Sequence, residues 1–494
     1  MKLSTILKWL LRLLANSVTN INNINPQIIM KILLVKPISD IHVVSPPLAL
    51  AYLASSIKKL NVDVRILDCL LKKFTFPDFN KYLRDYNPDV IGFTSFTMEF
   101  KSALKMAEIA KSLNPKVKII FGGPHVSNVP EDSLKNRATD FIFRAEAEEG
   151  FPRLIEELIK QKNNRNYKPD FKKIPCLGWK NKNKIILNPI KLLENLDSLA
   201  FPDFDLLEFN KYPKLYLAKK HPSAPILTSR GCPFNCTFCT AKQLSGTKWR
   251  FRSAENIIKE IKILKEKYNI QEFQIWDDNF TMNKERAKKF CDLLIKENLN
   301  LSWWCPNGVR LETLDKELLI KMKKAGCYAI AFGIESGSEK IQRDMNKNIN
   351  FKHLREMVTF AYNLGFRTQG FFILGYPTET REDILKTIKL AKSLPLMRAS
   401  ISLFQPLFGS KIYEDLKKQG KIPKDYSIEN CDYSKASILP IGFKNIEEVK
   451  KMQQKAMLEF YLRPRVFFSF IRENLNIDQI REILLMVQKY IFNK

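Results

Sequence analysis

Three cysteines lie within eight consecutive residues of this sequence, namely Cys232, Cys236 and Cys239. Thiolates are the soft ligands that zinc and iron–sulfur clusters select, so three of them this close together predict one metal centre. A structural zinc site takes a fourth protein ligand, and no nearby histidine or cysteine completes such a set, since the next cysteine is Cys291. The spacing therefore favours an iron–sulfur cluster, and three ligands to a four-iron cluster would leave one iron open to a small molecule.

The cysteines follow the first strand of a long β/α alternation that begins at Pro225. Each of six strand-like runs is followed by helical periodicity, which predicts a partial (β/α)6 barrel of TIM type. Barrel enzymes place their chemistry in loops at the carboxyl ends of the strands, which is where the cysteines fall. The predicted strands are Ile226–Ser229, Glu272–Trp276, Leu301–Cys305, Tyr328–Ile334, Arg367–Leu374 and Arg398–Phe404.

An earlier and shorter alternation runs from Met30 to about Leu158. Its strands are apolar nearly throughout, as expected when helices cover both faces of a parallel sheet. This predicts an α/β unit with a doubly wound, Rossmann-like parallel sheet. The predicted strands are Ile32–Val35, Val64–Leu67, Val90–Thr94 and Val117–Phe121.

These patterns divide the 494 residues into five regions. They are an amphipathic N-terminal extension (1–29), the first α/β domain (30–165), an irregular connector rich in Asn, Lys and Pro (166–223), the barrel (224–420) and a helical C-terminal region (421–494). Within the barrel, Ser253 before Glu255 and Thr380 with Asp383 are typical helix-capping signals. Leu3, Leu7 and Leu14 share one helical face of the extension, which suits either a membrane interface or docking on the protein itself.

Composition limits the partners without naming one. The formal net charge is +29, which would attract phosphates, anionic lipid headgroups or acidic substrates, although lysines spread over many helices are also typical of ordinary solvated faces. Nine cysteines, an odd number, and no convincing secretory signal favour a reducing, cytoplasmic location. Apolar runs are too short to cross a bilayer, because a span needs about 18 residues or more.

The motif Cys-x3-Cys-x-Phe-Cys, with Phe238 as the aromatic residue, closely resembles that of the radical S-adenosylmethionine (SAM) superfamily. The resemblance implies a [4Fe-4S] cluster on Cys232, Cys236 and Cys239, with SAM chelated to the open iron. It also implies reductive cleavage of SAM to a 5′-deoxyadenosyl radical, which abstracts an unactivated hydrogen atom.

Residues at the ends of later strands fall where that superfamily binds SAM. The resemblance implies SAM contacts from Phe238, Asp277, Glu335, Ser336 and Gly375. Arg310 is a further candidate for the SAM carboxylate or the substrate. Asp277 serving only as a helix cap, the glycines as turns, and Arg310 as a surface cation are the alternatives.

A second resemblance concerns the first domain, in the segments Pro46–Ala54, Asp89–Ser95, Phe121–His125 and Arg144–Glu148. Their order looks like the cobalamin-binding domain that precedes the barrel in a subfamily including anaerobic magnesium-protoporphyrin IX monomethyl ester cyclase. The family's Gly-Glu-Gly-Glu has Ala145 and Ala147 in place of glycine here, which predicts weaker cobalamin binding if close backbone approach matters.

Ligands of a doubly wound sheet bind beyond the carboxyl ends of its strands, so we expect cobalamin contacts from Thr94, Ser95, Gly122 and Gly123. A plain Rossmann-type interaction domain is the alternative. NAD is not expected, because no Gly-x-Gly-x-x-Gly follows Val35.

Two histidines need separate interpretation. His42 lies in Asp-x-His-x-x-Ser, which partly resembles the element that ligates cobalt in other cobalamin proteins, but a lone loop histidine is more often solvated. His125 is expected to be a pocket or packing residue.

Together these features predict a cytoplasmic, cobalamin-dependent radical SAM enzyme that methylates or rearranges an unactivated carbon of a small or lipid-like substrate. Its partners would include a flavodoxin- or ferredoxin-type reductant, with peripheral membrane association through the terminal basic–apolar helices as a further hypothesis. Nucleic acid is not expected. The alternatives are an enzyme similar to RNA methylthiotransferases, disfavoured because only Cys69 precedes Cys176, and a non-catalytic cobalamin- or cluster-binding regulator.

Overall fold

The structure is a computed structural model that describes residues 29–39, 44–182, 184–214, 218–423, 426 and 437–473. Nearly all of the predicted N-terminal extension, and His42, lie outside the described residues. Within these ranges, every helix is too short or too polar to cross a bilayer.

The first domain is built on a seven-stranded sheet. Its strands are β1 (Met30–Lys36), β2 (Val62–Asp68), β3 (Val90–Thr94), β4 (Lys118–Gly122), β5 (Phe141–Phe143), β6 (Leu177–Asn181) and β7 (Lys184–Leu187). The order is β2-β1-β3-β4-β5-β6-β7, with β1 to β5 parallel and the last two strands antiparallel to their neighbours. This order reverses direction between β1 and β3, the switch point at which such sheets bind ligands.

Helices cover both faces of this sheet, as the apolar strands predict. They are α1 (Leu48–Ser56), α2 (Phe76–Tyr86), α3 (Phe100–Leu113), α4 (Pro124–Asn128), α5 (Pro130–Lys135) and α6 (Gly150–Asn163). The α/β class and the doubly wound parallel sheet are thereby confirmed.

The segment interpreted as an irregular connector differs from that interpretation. Residues 177–187 form the hairpin β6–β7, which extends the first sheet beyond β5, and short 3-10 turns follow it. In β6, Leu177, Gly178 and Trp179 are buried but Lys180 and Asn181 are not, and β7 is exposed or partly exposed along its whole length. The polar residues obscure the strand pattern in the sequence.

The barrel contains six parallel strands in sequence order, β8-β11-β12-β13-β14-β15, and a separate two-stranded hairpin, β9–β10. The strands are β8 (Ser223–Ile226), β9 (Ser229–Arg230), β10 (Arg250–Phe251), β11 (Glu272–Ile275), β12 (Ser302–Val309), β13 (Cys327–Glu335), β14 (Arg367–Leu374) and β15 (Arg398–Leu403). β8 and β15 form opposite edges of this sheet, so the predicted partial barrel is confirmed.

Ten helices of the described residues follow the cysteines. They are α7 (Ala241–Ser245), α8 (Ala254–Tyr268), α9 (Lys284–Glu297), α10 (Lys316–Lys324), α11 (Glu339–Asp344), α12 (Phe351–Asn363), α13 (Arg381–Ser393), α14 (Lys411–Lys418), α15 (Ile446–Tyr461) and α16 (Pro464–Glu473). Both capping signals are confirmed, because Ser253 accepts a hydrogen bond from Asn256 and Thr380 forms a capping box with Asp383.

The main core of the barrel lies between its strands and the outer helices. Trp303 is fully buried, stacks on Phe273 at 5.7 Å between ring centroids, and meets the edges of Phe280 and Phe290. All nine residues of β13 are buried, whereas β14 and β15 alternate buried with partly exposed residues. The partly exposed positions face away from the helices, which leaves the inner side of this edge of the barrel accessible.

The turn after β14 is held by a buried acid. Glu379 is fully buried and accepts hydrogen bonds from the backbone N–H groups of Gly375 and Tyr376. Burial raises the pKa of Glu379 to about 8, because the two backbone bonds offset only part of the cost of removing the carboxylate from water.

This raised pKa predicts a pH-dependent stability. The folded protein holds the Glu379 proton more tightly than the unfolded chain does, so the free energy of unfolding should fall as the pH rises from about 4.5 to about 8. Glu379→Gln should make that fall shallower by at most about 1.4 kcal/mol per pH unit, measured by urea denaturation across this range. Glu382→Gln, at a side chain that is 77% exposed, is the control. An unchanged slope in Glu379→Gln would contradict the assignment.

Candidate active site at the cysteine loop

The three cysteines lie in the loop between β9 and β10, which we call the cysteine loop (residues 231–249). It begins just beyond the carboxyl end of β8, as expected for barrel chemistry. The loop is fixed by its own backbone, since the Cys232 N–H donates to the Gly246 carbonyl at 3.2 Å and the Cys239 N–H to that of Cys236 at 3.1 Å. All three thiols are free and partly exposed.

The thiols suit a cluster better than a single ion. The pKa of Cys239 is raised to about 11, mainly by burial and in part by the nearby Cys236, Asp278 and Cys232. The thiols are therefore close enough to interact, yet no three His, Cys, Asp or Glu of the described residues converge as one metal ion would require. Cysteine thiolates are the ligands that hold [4Fe-4S] clusters, so the three neighbouring thiols present fit that group.

Residues 344–346, at the end of α11 and just after it, contact the cysteine loop. The sequence did not predict this contact. Thr237 donates through its backbone N–H to Met345 O at 3.0 Å and through its hydroxyl to Asp344 O at 3.2 Å. Asn346 donates to Asn235 O and has a left-handed backbone with φ of 51°. Asparagine tolerates this conformation, so the asparagines of this segment were the available signal of a tight turn.

Arg310 lies directly against the cysteines. Its guanidinium is 3.7 Å from the centroid of the Phe234 ring and donates to Cys236 Sγ at 3.7 Å. It also donates to Lys347 O and pairs with Glu312 at 3.0 Å. The structure thus places a fixed cation beside the cluster ligands, while the SAM-carboxylate contact stays a prediction.

Glu335 occupies a left-handed conformation, with φ of 65°, at the end of β13. It forms a buried ion pair with Lys347 at 3.0 Å, and this carboxylate raises the pKa of Lys347 against the opposing effect of burial. A Cβ atom at Gly333 would lie 2.9 Å from both Glu335 Oε1 and Lys347 Nζ, so a side chain there would displace the ion pair. A strained acid held in this way at a strand end is typical of a functional site.

The other predicted SAM residues make contacts within the fold. Asp277 accepts hydrogen bonds at 2.6 Å from Thr228 N and Ser229 Oγ, tying the end of β11 to the residues before the cysteine loop. The Ser336 hydroxyl is buried 3.2 Å from Thr387 Oγ1. Their proposed contacts with SAM are not tested by these bonds.

Phe238 and Gly375 lie near one another in the structure. Phe238 packs against the apolar cluster that contains Tyr376, and the neighbouring Thr237 hydroxyl lies 2.8 Å from Tyr376 OH. Gly375 has φ of 85°, so the turn after β14 favours glycine.

Asp278, next to Asp277 after β11, is a further candidate acid of the site. Its side chain is exposed at the end of β11, yet surrounding protein raises its pKa and the Asp277 carboxylate raises it further. It also acts electrostatically on Cys232 and Cys239, which places it close to the cluster ligands.

At the carboxyl edge of the first sheet, the four predicted cobalamin residues lie together. Ser95 donates its N–H to Gly122 O at 3.1 Å, and a Cβ at Gly123 would meet Ser95 O at 3.0 Å and Thr94 Oγ1 at 3.2 Å. A Cβ at Gly122 would instead enter open space, with nothing within 4 Å. This gap, which glycine keeps free, fits a bulky group approaching the backbone.

Two buried polar atoms mark the same edge. Ser95 Oγ and His125 Nε2 have no hydrogen-bond partner among the described residues. His125 stacks on Phe100 at 3.9 Å between ring centroids, and burial lowers its pKa to about 4, so it is neutral at pH 7 and packs as expected. Orphaned polar groups of this kind are consistent with a ligand such as the cobalamin tail.

Two exposed apolar side chains lie at the switch point between β1 and β3, and the sequence did not predict them as site residues. Phe96 and Met98 are 57% and 48% exposed just after β3. Large apolar residues in such a position offer a surface to a flat macrocycle, and their location at the end of β3 was the signal available in the sequence.

The carboxyl edge of the first sheet and the cysteine loop of the barrel lie close to each other. Helix α4, which follows Gly123, packs against α7, which follows Cys239. Glu148, after β5, forms an ion pair with Arg230, two residues before Cys232, at 2.6 Å. The predicted cobalamin edge and the cysteine loop therefore border one region of the protein.

Comparisons with known proteins agree with this geometry. Residues 226–391 match the Radical SAM superfamily and residues 37–155 match the B12 binding domain. An uncharacterized methyltransferase of Pyrococcus horikoshii is 34% identical over 463 residues, which cover 90% of this chain and 95% of the relative. Cytidylyl-2-hydroxyethylphosphonate methyltransferase of Streptomyces wedmorensis is 25% identical, over 88% of this chain and 90% of the relative.

A solved structure has the same fold. The cobalamin-dependent SAM radical enzyme OxsB, with aqua-cobalamin and SAM bound, superposes with a TM-score of 0.72 and 16% identity, covering 94% of this chain and 71% of that one. The chain belongs to the radical SAM superfamily, in the group that carries an N-terminal B12-binding domain, and is an enzyme whose cofactors are a [4Fe-4S] cluster, SAM and cobalamin.

Proposed function

We propose that this enzyme transfers a methyl group to an unactivated carbon of a small or lipid-like molecule. The observation that supports the proposal is that the carboxyl edge of the first sheet, with its open space at Gly122, lies close to the cysteine loop of the barrel. The relatives of similar length, described above, are methyltransferases. Detection of 5′-deoxyadenosine after anaerobic reduction with SAM tests the radical chemistry directly.

When bound, the cluster and SAM supply a 5′-deoxyadenosyl radical, and cobalamin supplies the methyl group. Cys232, Cys236 and Cys239 hold the cluster. Arg310 places a positive charge beside Cys236 Sγ.

Contacts with SAM belong to the same proposal. We assign them to Phe238, Asp277, Glu335, Ser336 and Gly375, which lie at or near strand ends on the side of the cysteine loop. Thr94, Ser95, Gly122 and Gly123 contact cobalamin. Lys347 forms a buried ion pair with Glu335, in which each charge compensates the other.

A cyclisation or other rearrangement is the second candidate. A magnesium-protoporphyrin IX monomethyl ester cyclase is also among the relatives. Both reactions begin with hydrogen abstraction, so a methylated product with isotope from labelled SAM distinguishes them.

We further propose a cytoplasmic enzyme that receives single electrons from a flavodoxin- or ferredoxin-type protein and associates peripherally with anionic membranes. The described part of the C-terminal region supports the membrane contact, because Leu462, Phe467 and Phe468 are 66%, 45% and 67% exposed. Exposed apolar side chains on a protein of net charge +29 suit an anionic lipid surface.

The cluster assignment predicts a selective loss of iron. After anaerobic reconstitution, the wild type should hold about four irons per chain with cubane absorbance, and Cys236→Ala should lose most of both. Cys291→Ala is the matched control, because Cys291 is fully buried in α9. Full iron content in Cys236→Ala would remove the basis of the proposed chemistry.

The cobalamin assignment predicts a size-dependent effect at Gly122. Gly122→Leu should weaken hydroxocobalamin binding about tenfold or more, since overfilling a binding space costs about 1–3 kcal/mol. Gly122→Ala is the control and should bind more tightly than the leucine variant, with iron content unchanged in both. Equal binding by the leucine variant and the wild type, measured by equilibrium dialysis, would contradict the site.

Membrane association predicts loss of liposome binding when apolar surface is removed. The wild type should sediment with anionic liposomes at low salt, and Phe467→Ser with Phe468→Ser should reduce the bound fraction several-fold. Leu385→Ser, at a residue that is 41% exposed on α13, is the control. Absence of wild-type binding at low salt would exclude the proposal.

A further inference from the structure

The base of the cysteine loop is closed by two arginines. Arg230 in β9 and Arg250 in β10 are register partners across the hairpin, and the loop between them carries all three cluster cysteines. Any group that fixes these two side chains therefore fixes both ends of the cysteine loop.

Two acids of the first domain bind these arginines. Glu146 forms a two-pronged pair with Arg250, at 2.7 Å and 2.9 Å, and also lies 3.4 Å from Arg230. Glu148 pairs with Arg230 at 2.6 Å. We call these four residues the Glu–Arg clamp.

The Glu–Arg clamp is buried, which makes it a strong constraint. Side-chain exposure is 2% for Arg250 and 8% for Glu146. Burial alone would raise the pKa of Glu148, but the Arg230 guanidinium outweighs burial and leaves that pKa below its usual value. Removing one partner of such a pair leaves an uncompensated charge in the interior.

A chain of hydrogen bonds connects the Glu–Arg clamp to the predicted cobalamin edge. The Ser127 hydroxyl, on α4, donates to Gly123 O at 2.9 Å and accepts from the Ala145 N–H at 2.9 Å. Ala145 has a left-handed backbone with φ of 59°, immediately before Glu146. The contacts thus run without interruption from Gly123 through Ser127 and Ala145 to Glu146 and Arg250.

The Arg144–Glu148 segment therefore has a structural role that the sequence did not predict. The sequence suggested that its glycine-to-alanine differences affect the approach of the corrinoid, whereas the structure shows its acids paired with the two arginines that flank the cysteine loop. Ala145 adopts a left-handed conformation that glycine adopts most readily, so the backbone just before Glu146 is strained.

We propose that Glu146 and Glu148 are positioning residues that hold the cysteine loop in a fixed relation to the carboxyl edge of the first sheet. The inference rests on the proposed function, in which one reaction uses both edges. The Glu–Arg clamp joins the predicted cobalamin site on the first sheet to the cysteine loop of the barrel. Its two acids lie in the segment that follows β5.

Hydrogen–deuterium exchange of the full chain tests the clamp without any corrinoid. In Glu146→Gln, amides of residues 231–249 should exchange about tenfold faster or more than in the wild type, because the second charge of a buried pair is left uncompensated. Glu194→Gln is the matched control, since Glu194 pairs with Lys248 of the same loop but is 68% exposed. It should leave exchange of the loop within about twofold of wild type.

An effect confined to residues 141–163, or no effect, would overturn the proposal, because a residue that stabilises only its own domain cannot protect the distant loop. If Glu146→Gln does not fold, Arg250→Lys keeps the charge and loses the two-pronged geometry. The same measurement on that variant should show faster exchange of the loop, and unchanged exchange would overturn the proposal.

The loaded enzyme provides the second readout. Electron paramagnetic resonance of protein that holds both cob(II)alamin and the reduced cluster reports their magnetic interaction, which should change in Glu146→Gln at unchanged iron and corrinoid content. An identical interaction in the variant would overturn the positioning role. Absence of corrinoid from the wild type would instead refute the proposed function, and the exchange experiment would still decide whether the clamp holds the loop.

Discussion

The separation of three thiols in one short loop is the constraint on which the site depends. A four-iron cluster needs ligands that reach different irons, and a loop free to collapse would bring its thiols together. Here the loop is held by its own hairpin and by the hydrogen bonds of Thr237 to Asp344 and Met345. Arg310 also packs against Phe234 of the loop. These contacts fix the backbone that carries the three cysteines.

Positively charged side chains surround the cysteine loop. Thiolates and carboxylates gather at the carboxyl ends of the barrel strands, and their repulsion would be costly without cations nearby. Arg310 and Lys347 supply these cations from the barrel side, and Arg230 and Arg250 supply them at the base of the loop. Each cation is paired with a nearby acid, so the region is charged but locally balanced.

The two sheets of the chain meet through their functional edges. In doubly wound sheets and in barrels, ligands bind beyond the carboxyl ends of parallel strands, where loops are free to vary. This chain brings the two edges together through the packing of α4 against α7 and through ion pairs of Glu146 and Glu148. A reaction that needs two cofactors can then take place in one region, although each domain keeps its own hydrophobic core.

The sequence alone determined the fold class, most strand positions and the cysteine motif, because these are written in local periodicity and spacing. Val90–Thr94 and Arg367–Leu374, for example, were predicted with the bounds that the structure has. The hairpin at residues 177–187 was not predicted, because its strands are short and Lys180, Asn181 and Lys184 interrupt the apolar pattern. Only the tertiary structure brought Arg310 to Cys236 and Glu146 to Arg250. These pairs are 74 and 104 residues apart in sequence, so the packing of distant elements joins them and no local pattern could reveal them.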